Sequence, residues 1–216
     1  MISPYFNITV IAEWCTFIAA IMLLNRKTRW WRLFIILLFL TVCTETIGWH
    51  MHAHMHIFDN ALPFNILMLI STVFFICFFA TAKVLQNKKY WLFSCAVLFL
   101  LFSGINLFFF QGLWRYNSFS ESVGDIVLSI ICCYFLFAHI KEDEQINLLA
   151  FSYFWLAIGV LFYSLGSALL YNFSYLLRNY YAQTHIDIGT YINYALNLIL
   201  YISLIIAFIC QRKITR

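Results

Sequence analysis

Trp31-Arg-Leu-Phe-Ile-Ile-Leu-Leu-Phe-Leu-Thr-Val-Cys-Thr-Glu45-Thr-Ile-Gly-Trp49 is an apolar run that passes directly into His50-Met-His-Ala-His-Met-His-Ile-Phe-Asp59. Crossing the hydrocarbon core takes about 20 mostly apolar residues, and the first run meets that length. Past Pro63 and Asn65 a second apolar run begins. The histidines, methionines and carboxylates between the two runs therefore sit at a water interface. Whether they form a site or a polar turn decides how the chain is read.

Composition supports the same architecture. Of 216 residues, 64% are hydrophobic and 10% charged, with a mean hydropathy of +0.86. A soluble chain carries roughly 25% charged residues, so a polytopic membrane protein in contact with the lipid bilayer is expected. The formal net charge of +4 is no sign of nucleic acid, because the basic residues flank the apolar runs. Spans use up most of these residues, leaving no room among them for a soluble kinase, nuclease or nucleotide-binding domain. The seven cysteines lie in or beside apolar runs without a C-x-x-C, which predicts packing residues and not a disulfide framework. The first apolar run has no basic region before it and no small-residue cleavage site after it, so it is expected to be a retained span.

Seven segments read as spans: 6–24, 31–49, 63–82, 91–112, 122–140, 148–171 and 187–209. The expected fold is a single all-α domain, a bundle of seven transmembrane helices. If the spans alternate, Arg26, Lys27, Arg29, Arg32, Lys83, Lys88, Lys89, Lys141, Arg212, Lys213 and Arg216 share one side. Only Arg115 and Arg178 fall on the other. The Lys/Arg bias of short loops then puts the N-terminus outside and the C-terminus in the cytoplasm, in the inner (plasma) membrane. Trp30, Trp31 and Trp91 are expected at the inner interface, and Trp49 and Trp114 at the outer one. Gly159, Ser164, Gly166, Ser167 and Ala168 form a small-residue stripe suited to close helix packing, with a homo-oligomer face as the alternative.

An ionisable group inside a span costs several kcal/mol unless it is paired or faces water. Sorted by depth, the carboxyl and amide side chains fall in the outer halves of the spans. Glu13 is about two turns below the surface, Glu45 one turn, and Asn65 lies in the first turn of its span. Asn106, Glu121, Asp125, Asn193 and Asn197 complete the set, with Asn193 and Asn197 on one helix face at i, i+4. The inner halves are nearly all hydrocarbon. This asymmetry predicts an outward-facing polar pocket above a hydrophobic plug, its ligand-binding residues being Glu13, Glu45, Asn65, Asn106, Asp125, Asn193 and Asn197.

His50, His52, His54 and His56 would point one way in an extended loop and pair at i, i+4 in a helix. Either geometry is suited to Zn or Cu, and Met51 and Met55 would admit Cu⁺. Enzyme signatures are otherwise missing. There is no H-E-x-x-H and no G-x-S-x-G. No histidine pair lies on the last span, and no lysine suited to a retinal linkage. A metal-dependent hydrolase assembled from Glu13, Glu45, the histidine turn, His185 and Asp187 is the enzyme alternative. A small-solute transporter is the other, set against the absence of prolines that would break a span.

Asn106-Leu-Phe-Phe-Phe-Gln-Gly-Leu-Trp-Arg-Tyr-Asn-Ser-Phe119, Phe154-Trp-Leu-Ala-Ile-Gly-Val-Leu-Phe-Tyr-Ser-Leu-Gly166 and Asn193-Tyr-Ala-Leu-Asn-Leu-Ile-Leu-Tyr201 resemble recurring segments of seven-span membrane proteins of Bacteroidetes-type bacteria. Glu45 with Gly48, and Asn65, match that pattern too. The chain also resembles the membrane input regions of bacterial sensor histidine kinases. The histidine run is a departure from the family pattern. The resemblance implies a receptor or sensor subunit that signals through a cytoplasmic or membrane partner. Glu142-Asp-Glu144 and the tail from Arg212 to Arg216 are the features open to that partner.

Overall fold

The computed structural model describes residues 8–24, 28–54, 61–141 and 148–213, the side chains of 49–54 excepted. Every regular element among them is helical. In chain order these are α1 (Ile8–Leu24), α2 (Arg29–His54), α3 (Ala61–Phe79), α4 (Lys89–Ile105), α5 (Ser118–Lys141), α6 (Ser152–Asn172), α7 (Ser174–Thr184) and α8 (Ile188–Lys213). Six helices, namely α2, α3, α4 with the turns flanking it, α5, α6 and α8, are long and apolar enough to cross a membrane. That marks a membrane protein. The remaining apolar helix, α1, has 17 residues and is shorter.

Local chemistry sets the helix ends. Pro63 falls in the first turn of α3, where a missing N–H costs nothing. Asn117 caps α5, its Oδ1 accepting from the Ser120 N–H at 3.3 Å. Asp187 caps α8, accepting from the Thr190 N–H at 3.1 Å and the Thr190 hydroxyl at 2.7 Å. His185 ends α7 in the left-handed conformation, φ 57°. Gly112, φ +84°, ends a π-helical turn, Asn106–Gln111, that continues α4.

Two features differ from the sequence expectation. α6 ends at Asn172, close to the expected 171, but the residues after it, expected as a connection, form a separate amphipathic helix, α7, with no buried residue. Helix α2 continues past 49 to His54, so the backbone of the histidine stretch is helical that far.

α8 packs on α6 and α1, α1 on α2, α2 on α3, α3 on α5, and α5 on α6. Six helices thus close a ring, and α4 stands outside it against α3. Its outward faces are apolar, with Ile18, Phe39, Leu98, Phe137 and Phe162 exposed. The small-residue stripe is turned inward. A Cβ on Gly159 would stand 2.6 Å from the Ser203 Cβ, and one on Gly166 would meet Leu196, so both glycines serve the close approach of α6 and α8.

One end of the ring carries the basic residues Arg29, Arg32, Lys83, Lys88, Lys141 and Arg212. The half of the bundle next to that end is filled by rings. Trp31 is buried there, edge-on to Phe78 at 5.1 Å and Tyr153 at 5.4 Å, and Phe34 stands 5.5 Å from Phe208. Trp31 is thus part of an aromatic plug and not of the interfacial belt assigned to it from sequence. Its neighbours on adjacent helices are large and aromatic, and they close over it. Trp91 and Trp114 are exposed as a belt requires.

Candidate functional site

Above the plug, toward the other end of the bundle, the ring encloses a cavity of about 460 Å³. Its walls come from the six ring helices and from Tyr116 in the α4–α5 connection. No residue of α4 contributes. Glu13 of α1 lies at the base of the polar region and is 3% exposed. The Tyr201 hydroxyl donates to Glu13 Oε1 at 3.1 Å, and Glu13 Oε2 has no hydrogen-bond partner. Glu45, half-buried on α2, is close enough to interact with Glu13 through charge.

A second acidic pair comes from α5. Glu121 and Asp125 are one turn apart, so both point the same way. Asp125 is 6% exposed, and its Oδ2 has no partner, nor has Glu121 Oε2. The Tyr116 and Tyr171 hydroxyls hydrogen-bond to each other at 2.8 Å and both lie beside Glu121. Burial and the Glu121 carboxyl push the Tyr116 phenol further up from its ordinary range, so it remains a neutral hydroxyl. Tyr163 also lines the cavity, within range of the charges of Glu121, Asp125 and Glu45. No Lys, Arg or His lines the cavity among the described residues.

Five of the seven residues proposed from sequence line this cavity: Glu13, Glu45, Asp125, Asn193 and Asn197. Asn197 Nδ2 donates to the Asn193 carbonyl at 2.9 Å and to its side-chain oxygen at 3.1 Å. With Tyr201 they continue a one-turn series down one face of α8.

Asn65 and Asn106 are elsewhere. Asn65 Nδ2 donates to the Arg115 carbonyl at 2.9 Å, and Asn65 Oδ1 accepts from the Asn117 N–H at 2.9 Å. Asn106 Nδ2 donates to Asn117 Oδ1 and, at 3.0 Å, to Ser120 Oγ. These two asparagines fasten the α4–α5 connection over the bundle. That holds Tyr116 in place against the cavity.

His56 lies outside the described residues, as do the side chains of His50, His52 and His54. Among the described residues no group of three or more His, Cys, Asp or Glu side chains converges to hold a metal ion. Asp187, offered from sequence to a metal hydrolase, has both carboxylate oxygens engaged in capping α8.

Tyr163, Tyr171 and Tyr201 were not among the sequence candidates, and Glu121 was placed in the outer half but not in the ligand-binding set. The signal for Tyr201 was its place four residues after Asn197, and for Glu121 its place four before Asp125. No such spacing marks Tyr163 or Tyr171, which read as ordinary membrane aromatics. No family model, curated protein or solved structure matches this chain.

Proposed function

We propose that the chain is a receptor- or sensor-like subunit of a bacterial inner membrane. It has seven spans, with α1 as the first, its N-terminus outside and its C-terminus in the cytoplasm. The cavity opens to the extracytoplasmic side and takes a small ligand. Its occupancy changes helix packing, and a partner reads the change at the basic end. The Lys/Arg bias supports this orientation, and a cavity of about 460 Å³ falls in the size range of small-molecule sites.

The observation that carries the reading is that pocket and plug are built on the same helices. On α8, Tyr201 holds Glu13 and Phe208, two turns further on, packs in the plug. On α2, Glu45 lines the cavity while Phe34 and Trp31 fill the plug. A ligand that moves the upper part of either helix repacks the lower part. Closely packed interiors respond to such shifts by switching arrangement, not by yielding smoothly. The partner would meet the basic end, where 142–147 and 214–216, including the acidic turn and the end of the tail, lie outside the described residues.

Hydrogen exchange on the protein in nanodiscs tests the coupling. Comparing wild type with Glu13→Gln, the expected result is altered protection around Glu13 and also at the basic end, across Lys83–Lys88 and Leu148–Ala150. A change confined to α1 and the upper part of α8 would refute the coupling and with it the receptor reading.

A further inference from the structure

The chemistry of the cavity wall restricts what can occupy it. Four carboxyl groups, those of Glu13, Glu45, Glu121 and Asp125, line it, and no basic side chain among the described residues does. Glu13 Oε2 and Asp125 Oδ2 belong to side chains more than nine-tenths buried and are without hydrogen-bond partners, at a cavity wall. An unmatched buried carboxyl is costly in a medium of low dielectric. Its complement is a positively charged group whose polar hydrogens are all donors. An anionic ligand would meet four acidic groups and no counter-charge among the described residues.

The rest of the wall favours an organic cation over a metal ion. Tyr116, Tyr163, Tyr171 and Phe75 present aromatic rings to the cavity, and ring faces attract an ammonium group strongly once water is excluded. The cavity volume is far beyond what a bare ion fills. The carboxyls also stand in two pairs on different helices, one from α1 and α2 and one from α5, with Tyr163 of α6 on the same cavity wall. They do not gather into the compact ligand set a metal requires.

We propose that the ligand is an organic cation, an ammonium group on an apolar body, held between the Glu13–Glu45 and Glu121–Asp125 pairs. The proposal rests on the reading of the cavity as a ligand pocket and names the class of that ligand. The two acidic pairs also suit a diamine, one ammonium at each.

Equilibrium dialysis of the full chain in detergent micelles tests it with three matched probes: phenethylammonium, phenethyl alcohol and phenylacetate. A short alkyl diamine is a fourth. The expected result is saturable binding of phenethylammonium or the diamine, at least about tenfold tighter than the alcohol or the acid. Asp125→Asn should weaken it by about tenfold or more. Glu45→Gln, at a half-buried position outside the Tyr201 hydrogen bond, serves as a second variant that keeps the fold and should weaken it likewise. If the alcohol or the acid binds as tightly as the ammonium probe, the cation inference is overturned and the pocket reading stands. If no probe binds wild type, the cation inference is overturned, and the hydrogen-exchange comparison decides the receptor reading separately.

Discussion

Tyr201 is the only hydrogen-bond donor to the deepest carboxyl among the described residues, and the pair joins α8 to α1 at the base of the polar region. Tyr201→Phe removes that donor while keeping the ring, so Glu13 Oε1 loses its partner and both carboxyl oxygens are left without one. The expected cost is about 0.5–2 kcal/mol, given the modest measured worth of hydrogen bonds inside membrane bundles. Reversible unfolding in mixed micelles measures it, and a double-mutant cycle with Glu13→Ala, which removes the acceptor, should show coupling. Additivity of the two substitutions would mean that the contact carries no energy. The depth of Glu13 was legible in the sequence, because a carboxyl two turns inside a span has few bland explanations. The tyrosines around it were not. A tyrosine in a membrane chain serves equally as filler, interface anchor or hydrogen-bond donor, and only the packing of α6 against α8 distinguishes these roles. Trp31 was misplaced for the same reason: beside Trp30 and Arg32 it resembles an interfacial residue, yet Phe78, Tyr153 and Phe208 enclose it.

At the scale of elements, two features position the site. One is the α4–α5 connection, which Asn65, Asn106 and Asn117 tie down. Asn117 is both the cap of α5 and the acceptor for Asn106, so Asn117→Ala should destabilise the chain by about 1–2 kcal/mol. It should also speed proteolysis or hydrogen exchange across residues 112–117. An unchanged exchange rate there would show that the asparagines do not hold the connection. The π-helical turn that exposes Phe108, Phe109 and Phe110 while burying Asn106 follows from these long-range bonds, and no local pattern announces it. The second feature is the α6–α8 contact. Gly159→Ala brings a methyl against the Ser203 Cβ next to its backbone, and should cost about 1–3 kcal/mol. Gly166→Ala meets the far end of the Leu196 side chain, which can swing away, and should cost less. The reverse order in unfolding measurements would contradict this packing. The small-residue stripe was legible as a packing surface, but its partner helix was not.

At the scale of the whole molecule, the sequence showed the polarity gradient correctly: acidic and amide side chains toward one end, hydrocarbon and rings toward the other, basic residues beyond them. It could not show that α4 stands outside the ring, since nothing in its composition separates it from the other spans. Asn106 was accordingly expected in the pocket and lies instead at the connection. The proposed orientation leads to a labelling prediction. In a variant whose seven native cysteines are replaced, Tyr175→Cys, on the exposed face of α7, should react with an impermeant maleimide from outside. Lys88→Cys should react only after the membrane is opened, and the opposite pattern would invert the topology. The central claim, an acidic cavity open to the extracytoplasmic side, is tested most directly by Asn197→Cys in the same background. Paired impermeant thiol reagents of opposite charge should separate at this position on intact cells, the cationic reagent reacting at least about tenfold faster than the anionic one. Equal rates, or no reaction until the membrane is opened, would contradict the account.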